Sequence, residues 1–258
     1  MRVLFVAGEV APFSDTTETA KLLRALPEAL QEEHGVEPRI LMPRYGVVSE
    51  RRNRLHEVIR LSGSVIEAGE KKDTLQVKVA SIPGIRLQVY FMDSVAFFKR
   101  KGLYRDRKTE ALFEDNPARG LFYARAALTT AAKLGWNPDV VHASGWISAF
   151  VPHVLATDLA DDASMAGAKT VFTPDVIEGY EAELSADDAA SLGLPESFGG
   201  RSLRDIGLGT SDAAAYAEGD GPRDGEPEGP MLTGEPTEMA ATAFALYQTL
   251  APAQAEAA

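Results

Sequence analysis

The sequence contains no cysteine, which excludes disulfides, thiolate–zinc sites and thiol nucleophiles. Histidine is scarce, with four in 258 residues, and no His-rich cluster exists, so neither a metal nor another cofactor is expected. The glycine-based phosphate and nucleophile motifs are missing as well. There is no Gly-x-Gly-x-x-Gly, no Walker-type loop and no serine elbow. No apolar run approaches the ~18 residues of a membrane span, and Met1 leads directly into a strand pattern without a leader segment. Positive charge is in short supply: 26 Lys+Arg face 38 Asp+Glu, a formal charge of −12. Nucleic acids and anionic membranes reward a basic face, so neither is an expected partner. A cytoplasmic protein with a solvated acidic surface is the expectation.

What is present is ordinary globular material, 45% hydrophobic and 25% charged, in a chain long enough for a large buried core. The first thirty-odd residues organise the rest. Val3-Leu4-Phe5-Val6-Ala7 is short, apolar and bounded by Gly8, as a fully buried central strand is. After a loop with Pro12, the pattern Leu22, Leu23, Ala25, Leu26, Ala29, Leu30 has helical spacing. Asp15 and Glu18 are spaced as a capping box for that helix, and Pro27 should kink it or mark a new first turn. Arg39–Pro43 reads as a second parallel strand, which closes a βαβ unit.

A polar, basic connector (51–57) leads to three strand-like runs, 57–66, 75–82 and 85–91. The last two are joined by Pro83-Gly84 as a hairpin. Residues 93–114 read as loop, and 117–134 as a helix with Asn116 as its cap. Residues 138–142 and 169–173 are further buried strands, 146–156 and 202–209 helices, and 178–191 partly helical. The Gly, Pro and acidic residues of 218–238 read as a linker or disordered stretch. A docking helix follows over 239–251, and 253–258 should fray. Alternating strands and helices make the fold class α/β: a doubly wound, mostly parallel sheet with a β-hairpin insert.

In such folds ligands bind beyond the carboxyl ends of the strands. His142 ends a strand there, and is either a ligand-contacting group or a hydrogen-bonded structural residue. Trp146 either stacks on a sugar ring or packs beneath its helix. Glu9 is a cleft carboxylate or a solvated loop residue, and Asp115-Asn116 a polar contact or a plain cap. Asp15 and Glu18 place negative charge where an anion would sit, so phosphate binding at the opening turn is not expected. The residues alone lead to an α/β domain with a polyol-binding cleft.

Several stretches, in order, resemble the N-terminal half of bacterial glycogen and starch synthases, family 5 glycosyltransferases of the GT-B fold. These are residues 2–13 (RVLFVAGEVAPF), 25–30 (ALPEAL), 41–46 (LMPRYG), Asp115-Asn116 with Arg119, 136–143 (WNPDVVHA), Trp146 with Ala149, Val151 and Pro152, and 169–173 (KTVFT). The resemblance covers residues 1–217 and implies one Rossmann-like half of a GT-B enzyme. Its members transfer glucose from ADP-glucose or UDP-glucose to an α-1,4-glucan with retention. By position, it implies substrate-side roles for Glu9, Tyr45, Asp115, Asn116, Arg119, His142 and Trp146.

The departures fall on the donor side. The family's Lys-Thr-Gly-Gly-Leu loop aligns with Asp15-Thr16-Thr17-Glu18-Thr19, so Asp15, Thr17 and Glu18 replace its lysine and both glycines. Ser144 stands where the family has the histidine that contacts donor glucose, and Gly145 replaces the neighbouring Asp. Thr173-Pro174-Asp175-Val176 replaces Thr-x-His-Asn. The family's C-terminal domain has no counterpart in these residues. A synthase-like domain inactive by itself is therefore expected. The alternative is a non-catalytic glucan-binding or regulatory subunit that partners a full synthase. The partners this implies are an α-glucan or malto-oligosaccharide, and a separate C-terminal synthase domain or a second copy.

Overall fold

Strand β1 (Arg2–Ala7) lies at the centre of the sheet, and its apolar residues from Val3 to Ala7 are wholly buried. In the computed structural model, which describes residues 1–177, 180 and 183–251, seven further strands join it. They are β2 (Glu37–Pro43), β3 (His56–Glu57), β4 (Gln76–Ser81), β5 (Gln88–Asp93), β6 (Val140–Ser144), β7 (Lys169–Thr173) and β8 (Ala213–Ala214). The spatial order is β8-β7-β6-β1-β2-β5-β4-β3. All neighbours from β8 to β5 pair in parallel; β4 and β3 add antiparallel at one edge. This is the doubly wound α/β sheet with a hairpin insert. Its order reverses between β1 and β6, which opens a crevice at their carboxyl ends.

Helix α1 (Glu18–His34) buries Leu22, Leu23, Leu26, Ala29 and Leu30 on one face and closes at Gly35, whose φ of 62° is a left-handed cap. The expected Asp15–Glu18 capping box is not formed. Thr17 is the N-cap, extended at φ −130°, ψ 159°, and its hydroxyl accepts from Ala20 N. The start shifts because the hydroxyls of Thr16 and Thr17 are drawn back to Glu9, so helical geometry begins only afterwards. The helix also runs through Pro27 instead of restarting there; the fully buried Leu23, Leu26 and Leu30 hold both sides of it in place.

The insert differs from expectation in one run. Residues 57–66 do not form a single strand: His56–Glu57 pairs with β4, while Val65–Ala68 folds with Lys71–Thr74 into a separate hairpin. Gly63, at φ 92°, turns the chain between the two. The basic connector contains a one-turn helix, Glu50–Asn53. Within the expected loop 93–114, Val95–Phe98 makes a helical turn and Arg105 bridges Leu112. Helix α2 (Asn116–Lys133) is buried on nearly all sides; Asp115, not Asn116, is its N-cap residue. The Asn116 side chain is instead spent on the Tyr104 carbonyl and Arg119. The Tyr123 hydroxyl of α2 lies 2.8 and 2.9 Å from the carbonyls of Ala7 and Leu41, tying the ends of β1 and β2 together.

The expected helix 146–156 is broken into a 3₁₀ turn, Trp146–Ser148, and α3 (Val151–Thr157), with Pro152 in the first turn. Of residues 178–191, 178, 179, 181 and 182 lie outside the described residues. Glu183–Leu184 pairs with Arg201–Ser202, and Ala186–Ser191 is helical. Helix α4 (Leu203–Thr210) begins on a Ser202–Asp205 capping box.

Residues 218–238 follow an irregular path that is pinned rather than disordered. Arg204 binds Glu226 (2.6 and 2.8 Å), Asp220 (2.7 Å) and the Gly221 carbonyl, and Met231–Leu232 pairs with Tyr216–Ala217. A half-buried arginine thus supplies order that an apolar period would otherwise give. Helix α5 (Pro236–Leu250) lies along α1; it buries Met239, Ala240, Ala243 and Tyr247 and stacks Phe244 on His34. The tail 253–258, expected to fray, lies outside the described residues.

Candidate functional site

The crevice at the switch point has two walls and a floor. The first wall is the loop from β1 into α1. Here the Glu9 carboxylate, only 5% exposed, accepts from three hydroxyls: Ser14, Thr16 at 2.7 Å and Thr17 at 3.1 Å. Thr17 Oγ1 lies 2.9 Å from Thr19 Oγ1, and Thr19 bonds Asp175 in the loop after β7. Asp175 also accepts from the Trp146 amide at 3.1 Å. Burial pushes the Asp175 carboxyl up to about 6; the Thr19 hydroxyl works against that shift and nearby Glu9 adds to it.

This wall is closed by backbone as well. Gly8 N donates to the Ser144 carbonyl at 2.7 Å, and a Cβ on Gly145 would stand 2.6 Å from Asp175 Oδ2. Ser144 therefore acts through its main chain, and its side chain is buried. Asp15 and Glu18 face outward; Glu18 engages Lys21 at 2.7 Å.

The second wall carries the opposite charge. Arg119 of α2 is 0% exposed. Its Nε donates to the Phe97 carbonyl (2.8 Å) and its Nη1 to Asn116 Oδ1 (2.7 Å), while its Nη2 has no partner. The guanidinium lies 5.5 Å from the Trp146 ring, 5.4 Å from Phe113 and 6.0 Å from Phe98. Burial lowers its pKa to about 10, so the group remains a cation at neutral pH. Tyr45 is equally buried, and its hydroxyl also lacks a partner. Its pKa is raised by burial and by Glu9, with Arg119 acting in the other direction. Trp146 meets Tyr180 edge to face at 5.4 Å. Beyond Trp146, Asp175 and Tyr180 a cavity of about 860 Å³ extends to Arg204 and the 223–226 segment.

His142 lies in the floor, 0% exposed, with both ring nitrogens engaged: Nδ1 with the Tyr247 hydroxyl at 2.6 Å and Nε2 with Thr173 Oγ1 at 2.8 Å. Burial drives its pKa down to about 3, so it is a neutral imidazole bridging β7 and α5. Asp115 stands apart from the crevice contacts. Arg100 holds both its oxygens at 2.6 and 2.5 Å, with Lys71 at 3.6 Å. Burial raises its pKa, but Arg100, with Arg119 and Lys71, more than offsets this and leaves it below the usual carboxylate range.

The structure thus joins Glu9 with Thr17 in one wall, and Asn116, Arg119 and Trp146, with Tyr45 beside them, in the other. It places His142 beneath, Asp115 aside, and Asp15 and Glu18 outside. Sequence reasoning missed Ser14, Thr16, Thr19 and Asp175 as a connected set. The available signal was the run of hydroxyl residues after a lone glutamate, which suits a local carboxylate cage. Among the described residues, no group of three or more His, Asp or Glu side chains is placed to hold a metal.

Residues 2–207 match the family model described as the starch synthase catalytic domain. The chain belongs to that family. It is 40% identical over 172 residues to the glycogen synthase of Chlorobium luteolum and 38% identical over 172 residues to that of Chlorobium phaeovibrioides. In each case the match takes in 67% of this chain and 35% of the relative. The chain therefore spans about a third of the length of these curated relatives. Its fold is shared with the catalytic domain of starch synthase IV from Arabidopsis thaliana, solved bound to ADP and acarbose. That superposition has a TM-score of 0.66 at 22% identity, covering 83% of this chain and 44% of that one. This glycogen/starch synthase-like domain has no described helix long and apolar enough to cross a membrane.

Proposed function

We propose that this synthase-like glycosyltransferase domain does not transfer glucose by itself. The observation that carries this reading is the first wall, where Glu9 and its hydroxyls hold the turn that would meet a sugar nucleotide and Asp175 closes on it from the loop after β7. Expelling a nucleoside diphosphate requires positive charge and free donors aimed at the leaving oxygens. This wall offers carboxylates whose donors are already consumed. The test is incorporation of labelled glucose from ADP-glucose or UDP-glucose into glycogen by the purified chain. No incorporation above the blank is expected, and clear incorporation would overturn the reading. A C-terminal synthase domain supplied separately, or by another copy, is the setting in which transfer would be sought next.

A second reading is favoured by the second wall: a glucan-binding or regulatory subunit that partners a full synthase. Trp146 offers a ring face for an apolar sugar surface. Arg119 Nη2 and the Tyr45 hydroxyl, both unpartnered, retain capacity for sugar hydroxyls. Malto-oligosaccharides are the ligands this arrangement fits. Calorimetry with maltohexaose should give a millimolar dissociation constant, and no heat at saturating sugar would count against it.

A further inference from the structure

The net charge of −12 conceals two unlike parts. Residues 51–108 hold 14 Lys+Arg and six Asp+Glu, a formal charge of +8, while the other 200 residues hold 12 and 32, a charge of −20. The basic stretch forms one lobe at the carboxyl ends of β2 and β5. Glu50, at the head of the one-turn helix, meets Lys78 of β4 at 2.9 Å, and Lys78 meets Asp93 at the end of β5 at 2.6 Å. The Gly46 amide donates to the Phe98 carbonyl at 2.9 Å, which sets the loop before that helix against the loop that starts at Lys99. The separate hairpin joins them through Asp73, which accepts from Ser94 Oγ at 2.5 Å and from the Ala96 amide at 3.2 Å. Arg51, Arg52, Arg54, Lys72, Lys99 and Lys101 are exposed on this lobe. Among the described residues these six take no part in ion pairs such as those of Lys71, Lys78 and Arg100.

The acidic complement lies on the same side of the sheet. The cavity beyond Trp146 has Glu183, Asp205 and Asp224 exposed at its mouth, with Leu112 and Val176 as exposed apolar neighbours. Arg204 in its wall is already committed to Asp220 and Glu226. Leu112 bridges to Arg105, so the basic loop 99–108 borders this mouth directly. A face with a basic half beside an acidic half is self-complementary under a two-fold axis, which lays each basic half over the other's acidic one.

We propose that the basic insert lobe of one copy docks on the acidic cavity mouth of a second copy, forming a closed dimer. At moderate salt the net charges are screened while charges in contact still attract, so the overall −12 does not keep two copies apart. A nucleic acid fits the lobe less well. Its helical turns, Glu50–Asn53 and Val95–Phe98, have four residues each, too short to read a groove. None of its Phe or Tyr rings is exposed to stack on a base. Ile59, Val65 and Val95 are exposed instead, which gives the lobe apolar surface to set against Leu112 and Val176. The dimer does not depend on the proposed function: a chain that binds no glucan would form it all the same.

The test is sedimentation velocity of the full chain at micromolar concentrations. Wild type should be a dimer in 0.1 M NaCl, with a dissociation constant that rises about tenfold or more in 1 M NaCl as the screening length falls from about 10 to about 3 Å. Two charge-reversed variants carry the decision: Lys99→Glu/Lys101→Glu in the lobe, and Glu183→Lys/Asp224→Lys at the mouth. All four side chains are exposed, so each variant should keep the wild-type circular dichroism and a Tm within about 3 °C of wild type. Each alone should sediment as a monomer. An equimolar mixture should restore the dimer, because the reversed lobe then meets the reversed mouth and the native lobe the native mouth. A monomeric wild type, a dimer indifferent to salt or to either reversal, or a mixture that stays monomeric would overturn the proposal. So would a monomer that instead co-sediments with phosphatidylserine–phosphatidylcholine vesicles, which would assign the lobe to an anionic membrane.

Discussion

The two walls of the crevice are built from similar material and end in opposite states. On the β1–α1 side every oxygen of Glu9 and Asp175 has a donor from the protein itself. On the α2 side the Arg119 Nη2 and Tyr45 Oη atoms have none. A buried polar atom without a partner costs about 1–3 kcal/mol. The saturated wall is spent on the fold, and the unsaturated wall is the one proposed to bind.

The largest expected effect concerns the floor beneath both walls. His142 folds as a neutral imidazole with a pKa near 3, far below that of an unfolded histidine. The stability it confers is present above about pH 6.5 and is lost as pH falls through about 3, by about 5 kcal/mol in all. Urea denaturation between pH 7 and 4 should show that slope in wild type and a shallower one in His142→Gln. Equal slopes would mean that the histidine is not held neutral by burial.

Next comes Thr17→Val in the saturated wall. It removes the N-cap of α1 and one of the donors to Glu9, and should cost about 1–2 kcal/mol of stability with little change in maltohexaose affinity. Tyr45→Phe in the other wall should show the reverse. Its hydroxyl has no partner to lose, so denaturation midpoints should stay within about 0.5 kcal/mol of wild type. Maltohexaose affinity should drop about 5- to 10-fold, the worth of one hydrogen bond. If both variants altered stability alone, the contrast between the walls would have no functional meaning.

Much of this architecture was legible in the sequence, and the illegible parts have physical reasons. Val3–Ala7 and Lys169–Thr173 are continuous apolar or β-branched runs, which only buried parallel strands tolerate; both appear where expected. Pro83-Gly84 marked a hairpin because the turn needs those backbone angles. The apolar pattern after β6 hides the break between Trp146–Ser148 and Val151–Thr157 and so reads as one continuous helix.

The site was harder. Tyr45, Asn116, Arg119 and Trp146 converge from distant parts of the chain, and the family resemblance was what grouped them. The Glu9 cage depends on side-chain rotamers of three neighbouring hydroxyl residues, which no periodicity encodes. Asp175 enters only because β6 and β7 are adjacent in the sheet, so its loop falls opposite Thr19. Residues 218–238 read as loose because their order comes from contacts distant in the chain, those of Arg204 and the pairing of Met231–Leu232 with Tyr216–Ala217.

The most direct test of the contrast is a two-ligand NMR titration of the intact chain, following the Trp146 indole and the Thr17 and Thr19 methyl groups. The account predicts that millimolar maltohexaose shifts the Trp146 indole, while ADP-glucose at the same concentration leaves all three signals unmoved. Saturable shifts of the Thr17 and Thr19 methyls with ADP-glucose, and none of Trp146 with maltohexaose, would contradict it.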